Sequence, residues 1–148
     1  MTGFSRTFEI NASAEEVYQA ITMGITHWWT TGSGSASQVG TVFATRFGKT
    51  YNHIKVSQLI ANQRVEWDIE EHFHDNESLT RDDEWTGTKI HWNLSPVGET
   101  KTRLSFTHEG LVESMECSEI CEAGWDFFLF ESLKTYLESG KGQPFQHE

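Results

Sequence analysis

A chain of 148 residues is one domain by length and can bury a sizeable core without covalent staples. Its formal net charge of −11, with no clustering of its 11 Lys and Arg, excludes the basic footprint of a nucleic-acid binder and argues against an anionic membrane surface. Aromatic residues make up 13% against a hydrophobic total of only 36%, so a few bulky side chains must fill the interior.

The start, "MTGFSRTFEI", has neither a basic n-region nor an apolar h-region, and no apolar run approaches the ~20 residues that span a bilayer. A cytoplasmic location is the expectation. "GFSRTFEI" alternates, with Phe4, Phe8 and Ile10 on one face and Arg6 interrupting it, which predicts a strand. Arg6 there snorkels at the sheet edge, reaches an acidic ligand or neutralises a buried Glu. In "NASAEEVYQAIT", Ser13 and Glu16 form a capping box ahead of the stripe Val17, Ala20 and Ile21. Gly24 stops that helix, and "ITHWWT" reads as a second short helical turn before a mobile Gly/Ser loop. Trp28 and Trp29 are adjacent and cannot point the same way, so one indole is expected in the core and the other at a rim or gate.

Between Val39 and Glu109 the period becomes two. Thr41, Phe43, Thr45 and Phe47 share a face, Ile54 and Val56 are in phase, and Val65, Trp67 and Ile69 oppose Glu66, Asp68 and Glu70. "EWTGTKIHWNL" groups Thr86, Thr88, Ile90, Trp92 and Leu94 against Trp85, Lys89 and His91; "KTRLSFTHEGL" groups Thr102, Leu104, Phe106 and His108. Short strands separated by turn signals predict an antiparallel meander. After Gly110 the period is helical for six or seven turns to a stop at Gly140, with Cys117, Cys121, Gly124, Trp125, Phe128, Leu129, Ser132, Leu133, Tyr136 and Leu137 in one stripe. Phe127 and Phe130 fall outside it. One long amphipathic helix and a sheet with one apolar face make a two-layer α+β domain, the sheet curling round the helix.

Several residues carry chemistry. His108 follows Phe106 inward, where its imidazole orients a ligand, serves as acid or base, or caps the strand. Thr86 and Thr88 offer hydroxyls on an apolar face, or are simply good strand formers. Asp68 and Glu84 are a weak acid–base pair. His72 and His74 share a face that a metal could use, but a solvated strand end is expected and no third ligand lies at fixed spacing. Cys117 and Cys121, four apart on a helix, would make a strained disulfide and a poor zinc site, and read as small core residues. If the face of Trp85 and His91 is solvated, an exposed Trp85 would mark a protein interface.

"ASAEEVYQAIT", "WW", "RVEWDI", "EWTGTKIHWNL", "TRLSFTHEGL" and "GWDFFLFESLKTYLESGKGQP", in that order, resemble the activator-of-heat-shock-protein-ATPase-homologue type within the START-like SRPBCC superfamily. The resemblance covers Phe4 to Pro144 and implies the helix-grip fold, a curved antiparallel sheet around a long C-terminal helix with two short helices after the first strand. Superfamily members include lipid and aromatic-compound binders, polyketide cyclases and a co-chaperone domain. The reading is a small-molecule binding module whose cavity is lined by Trp67, Thr88, Trp92, Phe106, His108, Cys121, Trp125 and Phe128, with Trp28 or Trp29 near its mouth. Its ligand is hydrophobic and flat: aromatic, lipid or polyketide-like. No metal and no cofactor are expected. The alternatives are a cyclase- or hydrolase-like enzyme using His108 and a co-chaperone-like interaction module. The acidic surface allows a homodimer through an edge strand.

Overall fold

The computed structural model describes residues 3–145 except 31, 34, 35, 76, 78, 81 and 113. Strand β1 (Gly3–Ile10) is followed by α1 (Ala14–Thr22) and α2 (Ile25–Trp28). Then come β2 (Gly32–Ser33), β3 (Val42–Phe47), β4 (Thr50–Ile60), β5 (Arg64–Phe73), β6 (Lys89–Pro96) and β7 (Thr102–Glu109). The C-terminal helix begins as α3 (Ser118–Asp126), passes through a π-helical segment (Phe127–Leu133) and ends as α4 (Lys134–Ser139). One seven-stranded antiparallel sheet has the order β1-β7-β6-β5-β4-β3-β2. The antiparallel meander expected from the alternation forms, and with the C-terminal helix it makes the helix-grip fold that the resemblance implies. The Gly/Ser loop lies partly outside the described residues.

The capping box on α1 is present in both directions: Glu16 N donates to Ser13 Oγ at 3.2 Å, and Ser13 N donates to Glu16 Oε1 at 3.1 Å. Arg6 is not a free snorkelling side chain. It makes a two-pronged ion pair with Asp126 at 2.8 and 3.2 Å, tying the edge strand to the helix.

Two departures from simple periodicity position the site. On β5 the ladder with β4 jumps from Ile54↔Ile69 to His53↔Glu71, so Glu70 is an extra residue. Val65, Trp67 and Ile69 face inward as alternation requires, but beyond the bulge the phase flips and His72 is buried at 5% exposure. The expected solvated end of this strand is therefore overturned at His72. On the helix, Cys117, Cys121, Trp125, Leu129 and Leu133 are all buried, although four-residue steps drift about 40° each on an ideal α-helix. The π-helical segment removes most of that drift by turning less per residue, and keeps Leu133 facing the sheet. A continuous α-helix was the expectation; the wider turn replaces its middle. Phe130 finds its partner in Phe8 at 4.7 Å between ring centroids, whereas Phe127 is 40% exposed.

The start of β6 also differs. Gly87 has φ +86°, in the left-handed region, and the chain turns through residues 85–88 before entering the sheet at Lys89. Alternation does not extend back through that turn. Thr86 is exposed and Trp85 is buried in the core, which removes the reading of Trp85 as a solvent-facing interface residue.

Candidate functional site

All six tryptophans are buried, and their rings form one connected group. Trp29 stacks on Trp28 at 5.8 Å, on Trp67 at 5.9 Å and on Trp125 at 5.2 Å, and Trp125 stacks on Trp85 at 5.8 Å. Trp28 is 0% exposed and its Nε1 donates to the Ala20 carbonyl at 2.8 Å, so it is the core member of the pair. Trp29 is 2% exposed; it is not an exposed gate but an inner wall. Both are held by the C-terminal part of the chain. Ser132 Oγ donates to the Trp28 carbonyl at 2.5 Å, and Phe145 N donates to the Trp29 carbonyl at 2.8 Å.

The space beside Trp29 is a pocket of about 200 Å³ between the ends of β3, β4 and β5, the 85–88 turn and the first half of the C-terminal helix. Trp29, Trp85, Trp125 and Phe128 form its aromatic walls, and Cys121 and Gly124 are its helix side. Gly124 leaves open space where a side chain would stand. Its sheet side is polar. Asn52 Nδ2 donates to Thr45 Oγ1 at 3.1 Å, but Asn52 Oδ1 and both ring nitrogens of His72 are buried without a hydrogen-bond partner among the described residues. Burial, assisted by the neighbouring His74, pushes the His72 pKa down to about 4, so its ring is neutral near pH 7 with one donor and one acceptor nitrogen.

Of the residues expected to line a cavity, Trp29, Cys121, Trp125 and Phe128 border this one. Trp28, Trp67, Trp92, Phe106, Thr88 and His108 do not border it; they pack in the layer behind. His108 is 0% exposed and both its nitrogens are engaged. Trp125 Nε1 donates to His108 Nδ1 at 3.1 Å, so the ring proton sits on Nε2 and donates to Thr88 Oγ1 at 2.8 Å. Thr88 in turn donates to the Trp85 carbonyl at 2.6 Å. This chain fixes one neutral tautomer, and burial pushes the His108 pKa down to about 3. No lone pair remains for a general base.

The same bulge that turns His72 inward brings His74 to the helix. One ring nitrogen of His74 and the sulfurs of Cys117 and Cys121 all lie within 4.8 Å of one another. Hydrogen bonding from Cys121, and less so from His74, lowers the Cys117 thiol pKa against the opposing effect of burial, while Cys121 is raised by the same partnership. Glu84 serves this corner rather than any pairing with Asp68: its carboxylate accepts from Cys117 N and Glu116 N, both at 3.0 Å. Asp68 is paired with Lys89 at 2.7 Å on the outer face.

The profile of the family described as "Activator of Hsp90 ATPase homolog 1-like protein" matches residues 11–138, from just before α1 to the last helical turn, and so takes in every pocket residue. The chain belongs to that family. A solution structure of the Aha1 dimer from Colwellia psychrerythraea is 35% identical, with a TM-score of 0.77, over 96% of this chain and 100% of that one. DynU16, from the dynemicin biosynthetic locus, is 20% identical with a TM-score of 0.68, over 93% of this chain and 48% of that one. CalU16 from Micromonospora echinospora is 18% identical with a TM-score of 0.67, over 94% of this chain and 75% of that one. The latter two share the fold. None of the curated proteins matches. Among the described residues, no helix is long and apolar enough to cross a membrane.

In this family member the pocket residues absent from the expected lining are Phe47, Thr50, Asn52, His72, His74, Trp85, Ile120 and Gly124, with His72 and His74 assigned instead to a solvated strand end. Asn52 was in view as the inward neighbour of Ile54 and Val56 on a two-residue period, a signal that the strand's inner face changes from apolar to polar. For His72 no signal precedes the bulge. The helix did carry one: the strict four-residue spacing of Cys117, Cys121, Trp125, Leu129 and Leu133 fits a turn wider than the α-helix.

Proposed function

We propose that this protein binds a small, flat, mainly apolar molecule bearing both a hydrogen-bond donor and an acceptor, held in the pocket between Trp29, Trp125 and His72. The observation that supports this reading is the set of buried, unpartnered polar atoms, Asn52 Oδ1 and the two His72 nitrogens, on the wall of an otherwise aromatic pocket. Orphaned buried polar groups cost about 1–3 kcal/mol each, and a ligand that pairs with them recovers that cost. The pocket, at about 200 Å³, falls below the ~300–1,000 Å³ of drug-sized sites, which favours one- or two-ring compounds over lipids or polyketides. Binding rather than turnover is favoured because His108 has no free nitrogen. A cytoplasmic setting suits two neighbouring thiols that remain free. A homodimer is supported by the Aha1 dimer to which the chain is similar.

Titration of the EDTA-treated protein with indole, p-cresol and 2-naphthol, followed by tryptophan emission, tests the reading. Saturable quenching by at least one probe is expected, weakened about tenfold or more in His72→Phe and lost in Gly124→Leu. The Gly124→Leu change replaces a poor helix former by a good one while its side chain fills the pocket. Absence of saturation by all three probes up to their solubility, with a clean apo mass in native mass spectrometry, would sink the proposal.

A further inference from the structure

The corner formed by His74, Cys117 and Cys121 has a chemistry that the pocket does not use. Two sulfurs and one imidazole nitrogen, one from the end of β5 and two from the start of the C-terminal helix, converge to within 4.8 Å of one another. A tetrahedral zinc with Zn–S near 2.3 Å and Zn–N near 2.0 Å has ligand-to-ligand edges of roughly 3.5–3.8 Å, so side-chain adjustments of about an ångström close these three atoms on a metal. We propose that His74, Cys117 and Cys121 hold a zinc ion, with its fourth coordination position turned towards the pocket.

Four observations carry this assignment. The donor set is sulfur-rich with one imidazole, which selects zinc over the oxygen-seeking cations. The ligands come from two elements that are independently fixed: His74 N donates to the Asp82 carbonyl at 2.7 Å, and Glu84 holds the Cys117 and Glu116 amides at 3.0 Å. A carboxylate gripping the backbone of a ligating cysteine is the kind of outer support that metal sites use. Third, His74 and Cys121 line the pocket, so the side of the metal left open by three protein ligands faces it. Fourth, His72 stands beside His74, with 5.6 Å between ring centroids, and is itself 5% exposed with both nitrogens unpartnered among the described residues. A metal-bound water at the fourth position would have that imidazole as its hydrogen-bond partner. The site does not rest on the organic ligand; a metal would fill this corner with or without one.

The test uses the full chain, purified under reducing conditions. About one equivalent of zinc per chain is expected by elemental mass spectrometry. After stripping and reloading with cobalt, a thiolate-to-cobalt charge-transfer band should accompany visible bands of tetrahedral intensity. The double variant Cys117→Ser/Cys121→Ser should lose the charge-transfer band, and His74→Ala should weaken zinc binding at least a hundredfold in competition with a chelating dye. Circular dichroism of each variant shows whether it is folded, and the cobalt spectrum of the parent stands whatever the variants do. A reduced parent that takes up no zinc at micromolar free metal, or binds cobalt without a sulfur band, overturns the proposal. So does a folded double variant that keeps full zinc stoichiometry. Quenching by indole-type probes is read on the metal-free chain, so either reading can fail alone.

Discussion

Replacing His108 by glutamine tests the buried hydrogen-bond chain and its link to pH. In the folded protein burial lowers the His108 pKa from 6.5 to about 3, so the folded state refuses a proton that the unfolded chain accepts below pH 6.5. The sign follows directly: this group contributes nothing adverse above pH 6.5, and stability falls with pH from there down to about 3. At pH 5 the unfolded ring is about 1.5 pH units below its pKa, which at 1.36 kcal/mol per unit is a loss of about 2 kcal/mol. His72, lowered to about 4, adds a second loss of similar size over the same interval. The glutamine side chain retains an amide oxygen to accept from Trp125 Nε1 and an amide NH to donate to Thr88 Oγ1, but cannot titrate. Urea unfolding followed by tryptophan emission at pH 7.5 and pH 5 should therefore show the parent losing about 4 kcal/mol and His108→Gln about half of that. His108→Leu, which leaves the Trp125 N–H buried without an acceptor, should cost about 1–3 kcal/mol already at pH 7.5. If His108→Gln loses as much as the parent between the two pH values, His108 is not the proton-refusing group.

Ser132→Ala removes the donor to the Trp28 carbonyl and the acceptor of the Gln143 amide, and should cost about 1–3 kcal/mol by chemical denaturation. Gly142→Ala places a Cβ 2.2 Å from the His27 carbonyl oxygen, so the tail must move away; the Phe145 amide, now bonded to Trp29, should lose its hydrogen-exchange protection. Arg6→Ala should cost less than about 1 kcal/mol and less still at high salt, because the Arg6 and Asp126 side chains are 38% and 39% exposed.

How far the sequence could be read is set by where its periods hold. The alternation of Val65, Trp67 and Ile69 and the Ser13–Glu16 box are local and specified their elements correctly, while the helical stripe to Leu137 located the helix but not its π-helical middle. The site was less legible because it is built where the periods break. An extra residue at Glu70 inverts the phase and delivers His72 and His74 inward; the left-handed Gly87 folds Trp85 under the sheet; the π-helical turn rotates the helix. A bulge depends on pairing with a distant strand, which the bulged strand's own pattern does not announce; only the helix carried a local sign, in its four-residue spacing. The metal corner was legible only as two halves, the His72/His74 face and the Cys117/Cys121 pair, neither of which makes a metal site alone. His74 and Cys117 are distant in sequence, and only the antiparallel return of the sheet onto the helix brings them together.

The placement of β1 has a kinetic consequence. Its partner is not a neighbour in sequence but β7, with Gly3 opposite Glu109. Strands β3 to β7 each pair with the next through a short or local connection and can form as they are made. At about 5–20 residues per second, β1 leaves the ribosome some 5–20 s before β7 exists. During that interval Phe4 has no Phe106 and Phe8 no Phe130 to cover it. Up to Lys101 the chain carries 13 Asp and Glu against 8 Lys and Arg, and that net charge of −5 works against contact between nascent copies until the last strand and the helix arrive.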